Sequence, residues 1–185
     1  KYGFDEVLKG TYPEEVSFVK TIETLLQKNK NIYVRCCESF VPNFEQQYPT
    51  YLKPVQKIVD TLHALEITEN TYGLHIRRTD NKVSIEHSGL DKFITVIHTQ
   101  LQHNSYAQFY LSTDSPAVEN ELKSLFNSKI MTYEKDFSRN TQKGIEDALV
   151  DVLALSKCQK IYGSFYSSFS ELAAAIGKRE LTIVK

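Results

Sequence analysis

Four side chains able to do ionic chemistry stand together in GLHIRRTDN, residues 73–81: His75, Arg77, Arg78 and Asp80. They close an apolar run, TYGLHIR (71–77), that reads as a buried strand, so charge collects where a strand stops. Two adjacent guanidiniums suit a phosphate, because each is a planar fork able to donate two N–H groups to one anion. The alternative is a solvated ion-pair cluster in which Asp80 answers the arginines. Three other apolar segments end in polar groups: Thr113-Asp114-Ser115 after QFYLST (108–113), the loop after Tyr133, and Ser164 to Ser170 in SFYSSFS. The last runs into a helix pattern. A helix amino terminus offers unpaired N–H groups and partial positive charge to an anion, and the hydroxyls of Ser167 and Ser168 add donors. Each group has a plainer structural reading. Ser167 and Ser168 serve as helix caps, Asp114 as a turn or cap residue before Pro116, and His75 as a core histidine between Leu74 and Ile76. Asp151 interrupts the apolar ALVDVLAL. An unpaired buried carboxylate is costly, so it either faces solvent or has a designated partner.

These residues need a scaffold, and the hydrophobic periodicity supplies one. Thr11 to Glu14 matches an S/T-x-x-E capping box with Pro13 in the first turn, and Val16, Val19, Ile22, Leu25 and Leu26 follow at helical spacing. NIYVRCC (31–37) is β-prone, VPNFEQQYPTY (41–51) reads as loop, and Val55, Ile58, Val59 and Leu62 mark a second helix. After the strand at 71–77, Ser88 is placed to cap a helix carrying Leu90, Phe93, Ile94, Ile97 and Leu101. Ser115-Pro116 opens a helix after the strand at 108–113; a strand is expected at KIMTY (129–133) and a helix through Ile145, Leu149, Val152 and Leu153. KIYGS (160–164) is a strand, ELAAAIG (171–177) a helix stopped by Gly177, and ELTIV (180–184) a last strand. The least regular stretch is the polar connection EKDFSRNTQK (134–143). Strands alternating with helices imply an α/β, Rossmann-like fold: a mostly parallel sheet with helices on both faces and ligands beyond the carboxyl ends of its strands.

The totals bound the rest. The 185 residues suffice for one well-cored α/β domain and not for two. Lys plus Arg number 22 against 23 Asp plus Glu, so the basic excess that nucleic acid selects is missing. No apolar run approaches the roughly 20 residues of a membrane span, and no signal peptide is visible. The three cysteines, Cys36, Cys37 and Cys158, are odd in number and lack CxxC spacing, so reduced thiols are expected. No N-x-S/T sequon occurs. A cytoplasmic setting is expected, with membrane association and a secretory-pathway lumen both left open. The chain opens at Lys1 and its one methionine is Met131, so it is read as part of a longer protein.

HIRRTD (75–80), FYLSTD (109–114) and DALVDVLALSKCQKIYGSFYSSFSELAAAIG (147–177), in this order, resemble the α1,6-fucosyltransferase and Nod-factor fucosyltransferase group, and more distantly the protein O-fucosyltransferases. The resemblance implies the C-terminal, donor-binding half of a GT-B-like glycosyltransferase that uses a GDP-sugar. Residues 1–70 would be a partial N-terminal segment and 71–185 the nucleotide-sugar-binding domain. By the same resemblance, Arg77 contacts the β-phosphate of GDP-fucose, His75 and Asp151 address the guanine, and Asp80 holds the arginine and its loop. Ser167 or Ser168 binds phosphate; a one-residue slip leaves the two unseparated. No metal or other cofactor is expected, since arginine takes the place of a cation. Glu86 falls where the resembling enzymes carry a general base for the acceptor hydroxyl of a glycan; its structural alternative is a loop carboxylate before the Ser88 helix. The chain departs from the group in lacking the glycine- and asparagine-containing segment near the start. Two functions follow: fucose transfer from GDP-fucose to a glycan with inversion, or a non-catalytic nucleotide- or glycan-binding module derived from the same fold.

Overall fold

The computed structural model describes residues 6–9, 20, 23–28, 32–35 and 53–185. It divides into two compact units, Lys1–Gln47 and Tyr48–Lys185. In the first, β1 (Glu6–Lys9) pairs in parallel with β2 (Ile32–Arg35), and residues 23–27 between them are helical. The capping box at Thr11, Cys36, Cys37 and the whole loop expected at 41–51 lie outside the described residues.

The second unit is built on one five-stranded parallel sheet in the order β5-β4-β3-β6-β7. Its elements are α1 (Gln56–Ala64), β3 (Thr71–Ile76), α2 (Lys82–His87), α3 (Leu90–His103), β4 (Gln108–Thr113), α4 (Pro116–Phe126), β5 (Ile130–Met131), α5 (Gln142–Lys157), β6 (Lys160–Ser164), α6 (Ser168–Gly177) and β7 (Glu180–Val184). The near-continuous apolar reading of β3 and β4 is that of strands covered on both faces. Leu74, Ile76, Phe109 and Leu111 pack with Phe93 of α3 and Leu122 of α4. Tyr110 points the other way, into a cluster with Ile58 and Leu62 of α1, Val150 and Leu155 of α5 and Ala173 of α6. The period of two therefore sorts each strand between two layers of helices, as the alternation of elements predicted.

This sorting also decides the site. His75 lies one residue from Leu74 and Ile76, so it leaves the α3–α4 layer for the α5–α6 side. β3 is the central strand, registered His75↔Ser112 with β4 and His75↔Gly163 with β6. The chain runs outward through β4 and β5, then returns to the other side of β3 with β6. That reversal opens a crevice at the carboxyl ends of the strands.

Several boundaries differ from expectation for local reasons. The strand expected at 129–133 is confined to Ile130–Met131, because only Phe109 and Tyr110 of β4 are paired with it. Ser88 does not cap a helix from its amino end. It closes α2, and its buried hydroxyl donates to the Val184 carbonyl and accepts from the Phe165 N–H; Gly89 is the N-cap of α3. α6 ends at Gly177, as expected, but the glycine is not the left-handed residue of the turn. The left-handed residue is Lys178 (φ 51°), while a Cβ on Gly177 would lie 2.0 Å from the Ser156 carbonyl oxygen, so glycine there permits α6 to approach α5. The two units divide between Gln47 and Tyr48, and Ile58 and Leu62 of α1 are buried in the core of the sheet unit.

Candidate functional site

One carboxylate organises the end of β3. Asp114, at the end of β4, accepts the Arg78 N–H (2.7 Å) on one oxygen and the Thr79 N–H (3.3 Å) and hydroxyl (2.7 Å) on the other. The second oxygen also takes Arg77 Nε at 3.1 Å. Asp114 is not a helix cap; Ser115 fills that role, accepting from the Val118 N–H with Pro116 in the first turn. From the β6 side the Ser164 hydroxyl accepts the Arg77 N–H (3.0 Å) and donates to the His75 carbonyl (3.2 Å). The RRT turn is thus pinned from both neighbouring strands.

The two arginines part company. Arg77 is 13 % exposed and its guanidinium is shared between Asp114 and Asp80, which also pairs with Arg139 at 2.9 Å. The two carboxylates hold the guanidinium beside the pocket as an ion-paired cation. Arg78 turns away: its guanidinium donates to the Ile85 and Ser88 carbonyls at 3.3 Å, holding the α2–α3 corner, and it does not line the pocket. Of the two arginines, either of which was expected to fork a phosphate, only Arg77 lines the pocket, because the guanidinium of Arg78 is taken by the Ile85 and Ser88 carbonyls.

Beside Arg77 is a pocket of about 260 Å³ over the carboxyl ends of β3 and β4. His75 forms its inner wall, its ring stacked on Phe169 at 4.7 Å. Its Nδ1 is buried with no hydrogen-bond partner among the described residues. Burial first, and the Arg77 charge second, lower the imidazole pKa to about 3. His75 is therefore neutral in the fold and protonates more readily when unfolded, so acid favours the unfolded chain. The loss begins as pH falls through 6.5 and runs down to about 3. Between pH 6.5 and 5 we expect this histidine to remove about 1.6 kcal/mol of stability. Urea titrations of the wild type and His75→Gln at both pH values check it; an equal loss in both would assign the effect elsewhere.

The floor carries Asp151, which does not face solvent. It accepts the Tyr110 hydroxyl (2.6 Å) on one oxygen and the Ser112 hydroxyl (3.0 Å) on the other, and Lys135 Nζ spans both (3.1 and 2.9 Å). Side-chain exposure is 3 % for Lys135 and 8 % for Asp151, so the designated partner is a buried ammonium. Burial pushes the Asp151 carboxyl above its ordinary value, opposed by Lys135 and the hydroxyl donors. The same burial and the nearby carboxylate raise the Tyr110 phenol.

Lys135 belongs to the polar connection 134–143, which also brings Asp136, Phe137, Ser138 and Arg139 to the pocket. Asp136 accepts from the Ser138 N–H (2.8 Å) and the Thr141 hydroxyl, and Asp147 accepts the Asp136 N–H (2.7 Å). These hydrogen bonds hold the Asp136 carboxyl below its usual range. A Cβ on Gly144 would sit 1.6 Å from the Ser138 carbonyl oxygen, so the connection folds directly onto the first turn of α5 only because that residue is glycine. In the sequence the loop after Tyr133 is a polar strand end in which no motif singles out Lys135, Arg139 or Phe137. Its one local signal is two cations flanking an aromatic.

The remaining expected residues stand apart from the pocket lining. Ser167 is the buried N-cap of α6 but makes no side-chain cap bond, and Ser168 is exposed in the first turn. Glu86 is exposed on α2, inside a short helix rather than a loop. Cys158 is buried and unpaired, its thiol pushed up to about 12 by burial. Among the described residues no group of three or more His, Cys, Asp or Glu side chains could hold a metal ion, and no helix is long and apolar enough to cross a membrane.

No protein-family model and no curated protein matches the chain. Solved structures do. A NodZ α1,6-fucosyltransferase soaked with GDP-fucose matches 91 % of this chain with TM-score 0.63 at 20 % identity. NodZ from Bradyrhizobium matches 90 % with TM-score 0.60 at 19 % identity, and POFUT1 in complex with GDP matches 93 % with TM-score 0.56 at 11 % identity. The chain has the fold of the fucosyltransferases. It spans only 59–60 % of the length of these three structures. The five-stranded sheet thus belongs to a GT-B-like, fucosyltransferase fold, and the pocket lies at the crevice where such a sheet binds its ligand.

Proposed function

We propose that this chain is the donor-binding half of an inverting glycosyltransferase that transfers fucose from GDP-fucose to a glycan. The observation that carries the reading is Arg77, pinned by Asp114 and Asp80 at the mouth of a pocket whose inner wall is the neutral His75 stacked on Phe169. A diphosphate fits the Arg77 guanidinium, and a planar base fits the His75–Phe169 wall, where a charged imidazole would repel Arg77. As the sugar–phosphate bond breaks, charge gathers on the leaving diphosphate, and a prefixed arginine stabilises it without reorganising. In this reading no metal ion is required. The amino terminus of α6, with Ser167 or Ser168, adds donors to phosphate, and Glu86 faces the acceptor rather than the donor.

Titration calorimetry of the 185-residue chain tests the reading. GDP is expected to bind better than UDP, since a two-ring base covers more of the wall made by Phe137, Ile145, Ala148 and Phe169. Arg77→Lys is expected to weaken GDP by about 1.5–3 kcal/mol, because one ammonium cannot hold Asp114 and Asp80 and still fork a phosphate. If neither Arg77→Lys nor Arg77→Ala changes binding, Arg77 is a structural ion-pair residue and the reading is lost. A second reading, a binding module without transfer, draws support from the exposed position of Glu86 outside the pocket. It predicts the same binding and no turnover.

A further inference from the structure

Tyr166 holds a backbone conformation that costs the chain energy. Its φ is 56°, in the region where a Cβ crowds the following carbonyl. The other non-glycine residues with positive φ among those described, Glu66, Asn127 and Lys178, each follow the end of a helix, where such a turn is usual. Tyr166 instead joins β6 to α6. The α2 corner holds it there. Asn81 Nδ2 donates to the Tyr166 carbonyl (2.8 Å) and the Ser84 hydroxyl to the Phe165 carbonyl (2.6 Å), while the Ser88 hydroxyl accepts the Phe165 N–H (2.7 Å). Ser84 and Ser88 are fully buried, so the turn has a firm anchor. The residue fixed in this way nevertheless leaves 60 % of its surface in solvent. Strain maintained at an anchored, exposed aromatic side chain points to a ligand.

The neighbours indicate its chemistry. The Phe165 ring lies 6.3 Å from that of Tyr166, with the exposed His87 against its edge at 5.2 Å and Lys185 Nζ at 5.1 Å. Glu86 precedes His87 on the same exposed turn of α2. An aromatic face rimmed by an imidazole, an ammonium and a carboxylate suits a pyranose. The sugar's C–H groups, made positive by their oxygens, meet the negative π face, and its hydroxyls reach the polar rim. Position agrees. The hydroxyl of Ser164, two residues before Tyr166, accepts the Arg77 N–H at 3.0 Å, so the Tyr166 turn is tied to the backbone of the arginine. Tyr166 itself is outside the pocket lining. An acceptor must lie in such a place, beside Arg77 and clear of the donor, if a sugar is to leave a diphosphate held there. We infer that Tyr166 is the stacking residue of a glycan-binding subsite on the α2 corner, receiving the C–H face of a neutral pyranose while polar groups of α2 meet its hydroxyls.

The inference rests on the glycan-acceptor reading above, and two titrations of the 185-residue chain separate them. GDP is followed by calorimetry. Cellotetraose, tetra-N-acetylchitotetraose and maltotetraose are followed by amide NMR, since the first two present flat, equatorially linked C–H faces and the third a curved one. At least one of the flat oligosaccharides should shift the Tyr166, Phe165 and Asn81 amides. Tyr166→Phe keeps the ring and should bind it within about threefold of the wild type. Tyr166→Gly removes the ring and relaxes the backbone, so it should fold with an unfolding midpoint no lower than the wild type's, yet bind the sugar at least about tenfold more weakly. GDP affinity should be the same in all three proteins. A purely structural Tyr166 would leave sugar binding unchanged in Tyr166→Gly, and that result overturns the inference. So does a wild-type protein in which no oligosaccharide moves these amides, or in which the shifts fall only elsewhere; both leave the donor site standing wherever GDP binds. Sugar binding at Tyr166 without any GDP binding would remove the donor reading and keep this subsite. The wild-type titrations decide the matter even where a variant does not fold.

Discussion

Asp151→Ala should cost about 3–5 kcal/mol of stability, although the residue sits in a ligand pocket. The reason is the partner it abandons. Lys135 is 3 % exposed, and without the carboxylate its charge is buried with only the distant Leu111 carbonyl and two ring faces for company. Tyr110 and Ser112 lose the acceptor of their hydroxyls at the same time. Breaking one side of a buried pair is far worse than removing both. Lys135→Met/Asp151→Asn should therefore recover more than half of the loss, since the amide oxygen still accepts from one hydroxyl, its NH2 donates to the other, and no charge remains. Urea unfolding is the measurement, with the midpoint moving and the slope unchanged. If the single and double variants lose the same amount, the pair carries no coupling and Asp151 acts by packing alone.

Glu86→Gln should separate donor binding from chemistry. Glu86 is exposed on α2 and does not line the pocket, so GDP binding should be unaffected. If it is the base for the acceptor hydroxyl, as the proposed function has it, transfer from GDP-fucose by the full-length protein should fall about 10²–10⁴-fold. Glutamine preserves size and hydrogen-bonding reach but cannot take a proton. Single-turnover transfer alongside calorimetry gives both quantities. Unchanged turnover removes Glu86 from the mechanism. Weakened GDP binding would instead assign it to the donor loop. No transfer by the wild-type full-length protein, across GDP-sugars and glycan acceptors, favours the binding module.

What the sequence by itself determined is the order of elements and the edge of the sheet that matters. The largely apolar runs at 71–76 and 108–113 read as buried strands, and the helix patterns between them imply a parallel sheet, as found. Charge at the ends of those runs then marks the carboxyl edge, which is where Arg77, Asp114 and the pocket are found. Asp151 was legible as a carboxylate that either faces solvent or has a designated partner, because burial of an unpaired charge is costly wherever it occurs. Only the tertiary structure identified that partner. Lys135 lies on an irregular connection, where no period links sequence position to direction in space, and it reaches Asp151 because Gly144 lets that connection lie against α5. The division between Arg77 and Arg78 was equally hidden. Neighbouring residues leave a strand in opposite directions, but which direction meets Asp114 and Asp80 and which meets the Ile85 and Ser88 carbonyls depends on the chain packed beyond the strand's end. Periodicity assigns a side chain to a face; what waits on that face is contributed by residues far away in sequence, and only the folded chain brings them there.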